Sequence, residues 1–148
     1  MATADLTTTP SLSFVRTLRS APDRVWRAWT DPEAMKRWFA PSDAFTVPVV
    51  EADVRLGGRY RIVMKSPDGE ERDVRGVYRE IVPNEKLVFT WAWQSTPERE
   101  SLVTLRLRPA GSGTELTLTH EQLHDTESLD VHRRGWVGVI GQLAAFVG

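Results

Sequence analysis

Residues 114–147 read TELTLTHEQLHDTESLDVHRRGWVGVIGQLAAFV, and the change of period inside this stretch decides the fold. Over 114–121, Leu116, Leu118 and His120 alternate with Glu115, Thr117 and Thr119, as in a strand with one apolar and one wet face. From about residue 127 the period becomes helical. At about 100° per residue, Leu129, His132, Trp136, Val139, Ile140, Leu143, Phe146 and Val147 share one sector. Arg134, Gly138, Gly141 and Gln142 lie opposite or flank it. A last strand therefore hands over to one long amphipathic helix.

Upstream, the two-residue period continues back to about residue 44. It predicts strands at 45–55, 58–65, 72–82, 86–94 and 101–108, besides 114–121. Gly57-Gly58, Pro67-Asp68-Gly69, Pro83-Asn84, Pro97 and Gly111-Ser112-Gly113 punctuate them. Another strand is expected at 12–19, ended by Ala21-Pro22. Two short helices follow. Val25, Trp26, Ala28 and Trp29 mark the first at about 22–30; Thr30-Asp31-Pro32-Glu33 opens the second, which carries Met35, Trp38 and Phe39. The order is one strand, two helices, six strands and a long helix. An antiparallel sheet of about seven strands must cover its apolar face, and only the last helix is long enough to do so. The expected class is α+β, a curved sheet wrapped around a C-terminal helix, forming a single domain over 1–148 with residues 1–11 flexible.

Composition narrows the function classes. The 148 residues include no cysteine, six tryptophans, two tyrosines and three histidines, with a formal net charge of −1. Without cysteine there is no disulfide scaffold, iron–sulfur cluster or cysteine nucleophile. The balanced charge indicates neither a nucleic-acid nor an anionic-membrane partner. The N-terminal residues lack the pattern of a secretory signal, and no apolar run approaches a membrane span. The sequence reads as a soluble, cytoplasmic protein.

Several segments, in order, resemble the activator of Hsp90 ATPase homologue-like family of the START-like helix-grip superfamily. They are Ala21-Pro22 with Val25-Trp26, Trp29-Thr30-Asp31-Pro32-Glu33, Trp38-Phe39, Gly57-Gly58, Pro67-Asp68-Gly69 and Gly76 to Pro83. Leu87-Val88-Phe89-Thr90-Trp91, Leu118-Thr119-His120 and His132-Arg133-Arg134-Gly135-Trp136 continue the series, which covers residues 12–147. The resemblance implies a deep apolar cavity between sheet and C-terminal helix. It implies binding of a small hydrophobic or aromatic ligand there, with a link to stress response. The resemblance also admits two alternatives, an exterior that engages a chaperone as the Hsp90-activating domain does, or an enzyme of the polyketide cyclase or aromatase type. No cofactor, metal or catalytic residue is expected, and enzyme ranks last.

The expected ligand-facing set is Trp38, Phe39, Tyr60, Tyr78, Trp91, Leu105, His120, His132, Trp136 and Ile140. Trp38 and Phe39 would form the mouth; the sheet and Trp136 would supply burial; His120, His132 or Tyr78 would orient the ligand. His120 and His132 fall on the buried faces of the last strand and last helix. They read either as hydrogen-bonded core histidines or as groups facing a ligand. The aromatic rings likewise either line a cavity or fill it. Trp26 and Trp29 read as core packing.

His120-Glu121-Gln122-Leu123-His124 matches the zinc-protease pattern H-E-x-x-H. That pattern needs a helix to bring its two histidines together, whereas these residues continue a strand, so no metal is expected. Arg16 reads as a surface arginine in preference to a cavity group. Glu51 and Asp53 are expected to pair with Arg55 or Arg59. Glu70 to Asp73 and Glu98-Arg99-Glu100 read as solvated loop charges. Gly135 flanks the buried helical sector, while Gly138 and Gly141 point away from it. That exposed pair suggests either a homodimer surface or a locally soft helix.

Overall fold

The computed structural model describes residues 10–148. Of the stretch expected to be flexible, 1–9 lie outside the described residues. Pro10 is tied down, since its carbonyl accepts the Leu123 amide at 3.1 Å.

Seven strands form one sheet: β1 (Leu12–Leu18), β2 (Thr46–Ala52), β3 (Arg59–Lys65), β4 (Glu71–Val82), β5 (Lys86–Trp93), β6 (Ser101–Ala110) and β7 (Gly113–Glu121). Their spatial order is β1-β7-β6-β5-β4-β3-β2, with every neighbouring pair antiparallel. Helices α1 (Pro22–Thr30) and α2 (Pro32–Trp38) fill the excursion from β1 to β2, and α3 (Thr126–Val147) closes the chain. The expected α+β class, a curved antiparallel sheet around a C-terminal helix, is what the chain adopts.

The alternation that predicts β7 has a direct packing consequence. Leu116, Leu118 and His120 are buried, and across the β6–β7 pair they sit opposite Leu107, Leu105 and Val103. Trp136, Val139, Ile140 and Leu143 bury the apolar stripe of α3. Asp125 caps that helix by accepting the Ser128 amide at 2.8 Å. Asp31 does the same for α2 through the Glu33 amide, with Pro32 in the first turn.

Three local expectations need correction. β2 stops at Ala52, short of 55, because the backbone of Asp53 to Gly58 folds into a tight turn bonded across to Arg59 and Tyr78. Phe146 is 41% exposed. The last helical turn directs Val147 toward Ser20, whose hydroxyl donates to the Val147 carbonyl, and this leaves Phe146 outward. Gly138 is not half of an exposed pair. A Cβ there would lie 2.0 Å from the Pro41 carbonyl oxygen, so α3 approaches the α2–β2 connection too closely for any side chain. Gly141 has open space around its missing Cβ. Among the described residues, no helix is long and apolar enough to cross a membrane.

Candidate functional site

The space between sheet and α3 is occupied by aromatic rings. Trp29 and Trp38 meet edge to face at 4.9 Å between centroids, Trp29 and Phe39 at 5.9 Å, and Phe39 and Trp136 at 6.0 Å. Trp136 in turn lies 5.0 Å from Trp91. Edge-to-face contacts of this kind add to the burial of large apolar area. The deep cavity expected here is closed: the space enclosed by Trp29, Met35, Phe39, Tyr60, Ile62, Tyr78, Leu87 and Phe89 amounts to about 10 Å³.

Of the expected ligand-facing set, all but His132 are therefore buried. Trp38 is 1% exposed and donates its indole N–H to the Ala28 carbonyl at 3.0 Å, so it joins α1 to α2 and forms no mouth. Tyr60 donates to the Thr90 carbonyl at 2.5 Å, and burial raises its phenol pKa well above the usual value. Burial raises Tyr78 as well. Leu105 and Ile140 are buried core residues. Phe39, Trp91, His132 and Trp136 also line the depressions described below.

The two histidines come together as predicted from their faces, with ring centroids 4.9 Å apart. Each is held by a tryptophan, and because indole N–H only donates, each tautomer follows. Trp136 Nε1 donates to His120 Nδ1 at 2.9 Å, so the proton of that imidazole resides on Nε2, which donates to Ser101 Oγ at 2.7 Å. Ser101 passes its own proton to the Trp91 carbonyl at 3.0 Å. In the second pair, Trp93 Nε1 donates to His132 Nε2 at 3.0 Å, while His132 Nδ1 donates to the Ser128 carbonyl at 2.7 Å.

Both rings are consequently neutral. Burial, assisted by the proximity of His132, pushes the His120 pKa down to about 3. Burial also lowers His132, opposed by the Ser128 carbonyl that accepts its Nδ1 proton. The Ser101–His120 contact looks like a nucleophile and base, but its polarity is reversed. A base needs a free lone pair facing the hydroxyl, whereas Trp136 fixes the proton on that nitrogen.

Two adjoining depressions open beside this network. The outer basin has a volume of about 370 Å³ and is lined chiefly by polar groups, including Thr96, Arg99, Ser101, Asp125, Glu127 and Ser128. The inner groove, about 50 Å³, is lined mostly by Phe39, Pro41, Met64, Gly135, Trp136 and Val139, with Arg72 at its side. Trp91, Trp93, Val131 and His132 line both. Trp91 Nε1, like Trp29 Nε1, is buried without a hydrogen-bond partner among the described residues.

Sequence reasoning did not select Trp93, Ser101, Ser128 or Arg99 as site residues. Alternation put Trp93 on the face of Trp91, and Ser101 pairs directly with Trp91 across β5–β6. Those were the available signals. Arg99, read as a loop charge, instead lines the basin.

The remaining candidates are structural. His120 is fully buried and His124 largely exposed, separated by a turn in which Gln122 has φ 62°, so no helix joins them. No cluster of three potential metal ligands occurs among the described residues. Arg16 is exposed on the edge strand β1. Asp53 pairs with Arg55 at 2.7 Å as expected, but Glu51 approaches Arg61 at 3.8 Å in place of Arg59.

A seven-stranded antiparallel sheet closed by a C-terminal helix defines a helix-grip protein of the START-like class. The sequence model of the family described as "Activator of Hsp90 ATPase homolog 1-like protein" matches residues 19–148, and the chain belongs to that family. Among solved structures, it is similar to protein CV1439 from Chromobacterium violaceum, with 30% identity and a TM-score of 0.84 over 93% of this chain and 96% of that one. It is also similar to the AHSA1 protein from Silicibacter pomeroyi, with 27% identity and a TM-score of 0.81 over 92% and 96%. A protein of unknown function from Staphylococcus aureus, SA2116, shares the fold at 21% identity and a TM-score of 0.80, with 96% of each chain covered. No curated protein matches the chain.

Proposed function

We propose that this protein binds a small aromatic or hydrophobic molecule with a polar end, in the open cleft between β5 and the first turns of α3. The observation that carries this reading is the junction of a polar basin and an apolar groove through four shared residues, Trp91, Trp93, Val131 and His132. Binding sites of this kind combine apolar walls with a few placed polar groups. The ligand's ring would lie toward Phe39 and Trp136. Its polar end would remain among Arg99, Ser128 and Thr96. The neutral histidines add no charge, and their nitrogens are already committed, which leaves the indole of Trp91 as the buried donor.

The test is a fluorescence titration with 8-anilinonaphthalene-1-sulfonate, a two-ring molecule with an anionic end. Saturable binding with quenching of tryptophan emission is expected. Gly135→Leu, which projects a side chain where there is now open space beside the groove, should weaken it about tenfold while the protein stays folded. Binding indifferent to that substitution would place the ligand elsewhere. Absence of saturable binding in the unmodified protein would remove the reading.

A further inference from the structure

The basin and the groove share a wall, and one hydrogen bond crosses it. Trp93 sits at the end of β5, His132 on the second turn of α3, and their 3.0 Å contact is the only hydrogen bond between these elements among the described residues. Both residues line both depressions, so the bond joins two members of their shared wall. The inner pair is buried more deeply. His120 is fully buried and bonded at both nitrogens to Trp136 and Ser101, and the Ser101 hydroxyl continues to the Trp91 backbone. Trp93 and His132 are only partly buried.

From this arrangement we propose that the Trp93–His132 hydrogen bond is a divider that makes the site select its ligands by length. The proposal rests on the binding reading above and assigns a role to two residues within it. A short, polar, single-ring molecule fits the basin and leaves the divider intact. A longer molecule with an aromatic end must part Trp93 from His132 to place that end against Phe39, Trp136 and Val139, because the groove alone holds only about 50 Å³. A single hydrogen bond contributes a net stabilisation small enough for a ligand to displace and large enough to read as a change in affinity. Trp93 and His132 are thus specificity-determining residues that act through the shape of the cleft.

The experiment compares two ligands, benzoate and 8-anilinonaphthalene-1-sulfonate, on the full chain and on three variants. Trp93→Phe keeps a ring but removes the donor. It should raise the affinity for the two-ring ligand relative to that for benzoate by about fivefold, the equivalent of one net hydrogen bond. His132→Leu should do the same, and carries the test if Trp93→Phe does not fold. His132→Gln, whose side-chain oxygen reaches the place of Nε2, should restore the original ratio, which loss of general packing would not do. If both ligands bind the unmodified protein and the ratio of their affinities does not change in Trp93→Phe or His132→Leu, the divider is overturned and the binding reading stands. If neither ligand binds any of the proteins, both fall together.

Discussion

The two histidine–tryptophan pairs use the same chemistry in different surroundings. His120 and Trp136 are sealed between β7 and α3, whereas His132 and Trp93 stand at the edge of an open cleft. In both, a donor-only indole fixes a neutral imidazole whose second nitrogen donates to oxygen. Burial makes the difference. A sealed pair cannot lose a partner without stranding the others, while a pair at the rim can exchange a partner for water or ligand. The inner pair is therefore a structural fixture and the outer pair is where the fold has freedom to act.

The largest expected effect tests that contrast directly. His120→Ala removes a ring with no exposed surface, strands Trp136 Nε1 and leaves Ser101 Oγ with only its bond to the Trp91 carbonyl. We expect a loss of about 3–5 kcal/mol in urea unfolding, from the cavity and the unpaired indole together. His132→Ala should cost about 1 kcal/mol, because water can reach the Trp93 N–H. Equal losses would erase the distinction between the pairs.

Acid should separate the pairs by pH. The folded pKa of His120 is about 3, below the unfolded value of 6.5, so the unfolded chain binds the proton first. Stability from this residue is complete above about pH 6.5 and declines as pH falls toward 3; at ~1.4 kcal/mol per unit the sum reaches several kcal/mol. His132 shifts in the same direction, so it adds to the slope. Asp73 and Asp125, whose pKa values are lowered from 3.8, begin to cost stability only below about pH 5, where the unfolded carboxylates start to take up protons, so the window from pH 5 to 6.5 belongs to His120 and His132. Urea midpoints measured across this window should fall steadily for the unmodified chain and much less for His120→Asn. An identical slope in the variant would break the assignment.

This comparison also explains what was legible in the sequence. Period two and period 3.6 placed seven strands and three helices because each element buries one face, and burial is what periodicity records. The same logic brought His120 and His132 to one place. It could not distinguish rings that line a cavity from rings that fill it, since Trp38, bonded to Ala28, and Trp91, lining a cleft, both fall on the apolar face of their element. That choice depends on interlocking distances between α1, α2 and α3, set by contacts far apart in the chain. Ser101 and Ser128 escaped notice because one follows an irregular turn and the other acts through its backbone carbonyl.

The glycines of α3 repeat the inner–outer contrast at smaller amplitude. Gly138→Ala would thrust a methyl to within 2.0 Å of the Pro41 carbonyl oxygen, and backbone cannot yield as a flexible side chain can. It should destabilise by about 2 kcal/mol, because overpacking outweighs the gain in helix propensity. Gly141→Ala meets nothing within 4 Å and should stabilise by about 0.5–1 kcal/mol. Thermal midpoints of the two variants, moving in opposite directions, would confirm that α3 is pressed on the α2–β2 connection at Gly138. A gain at both positions would mean that this contact is loose in solution.

The smallest effect concerns His124, the outer end of the H-E-x-x-H string. Its side chain is 48% exposed and lies 3.9 Å from Asp125, an exposed contact of the kind that contributes little. His120, the other end, has Nδ1 occupied by Trp136 and Nε2–H committed to Ser101. Zinc could bind there only by breaking buried hydrogen bonds, with no second histidine within the same turn of a helix to compensate. His124→Ala should therefore change stability by no more than about 0.5 kcal/mol, and a zinc titration monitored by tryptophan fluorescence should give the same flat trace before and after. A saturable zinc signal abolished by His124→Ala would show that the sealed pair opens in solution, and the division between fixture and moving part would then have to be redrawn.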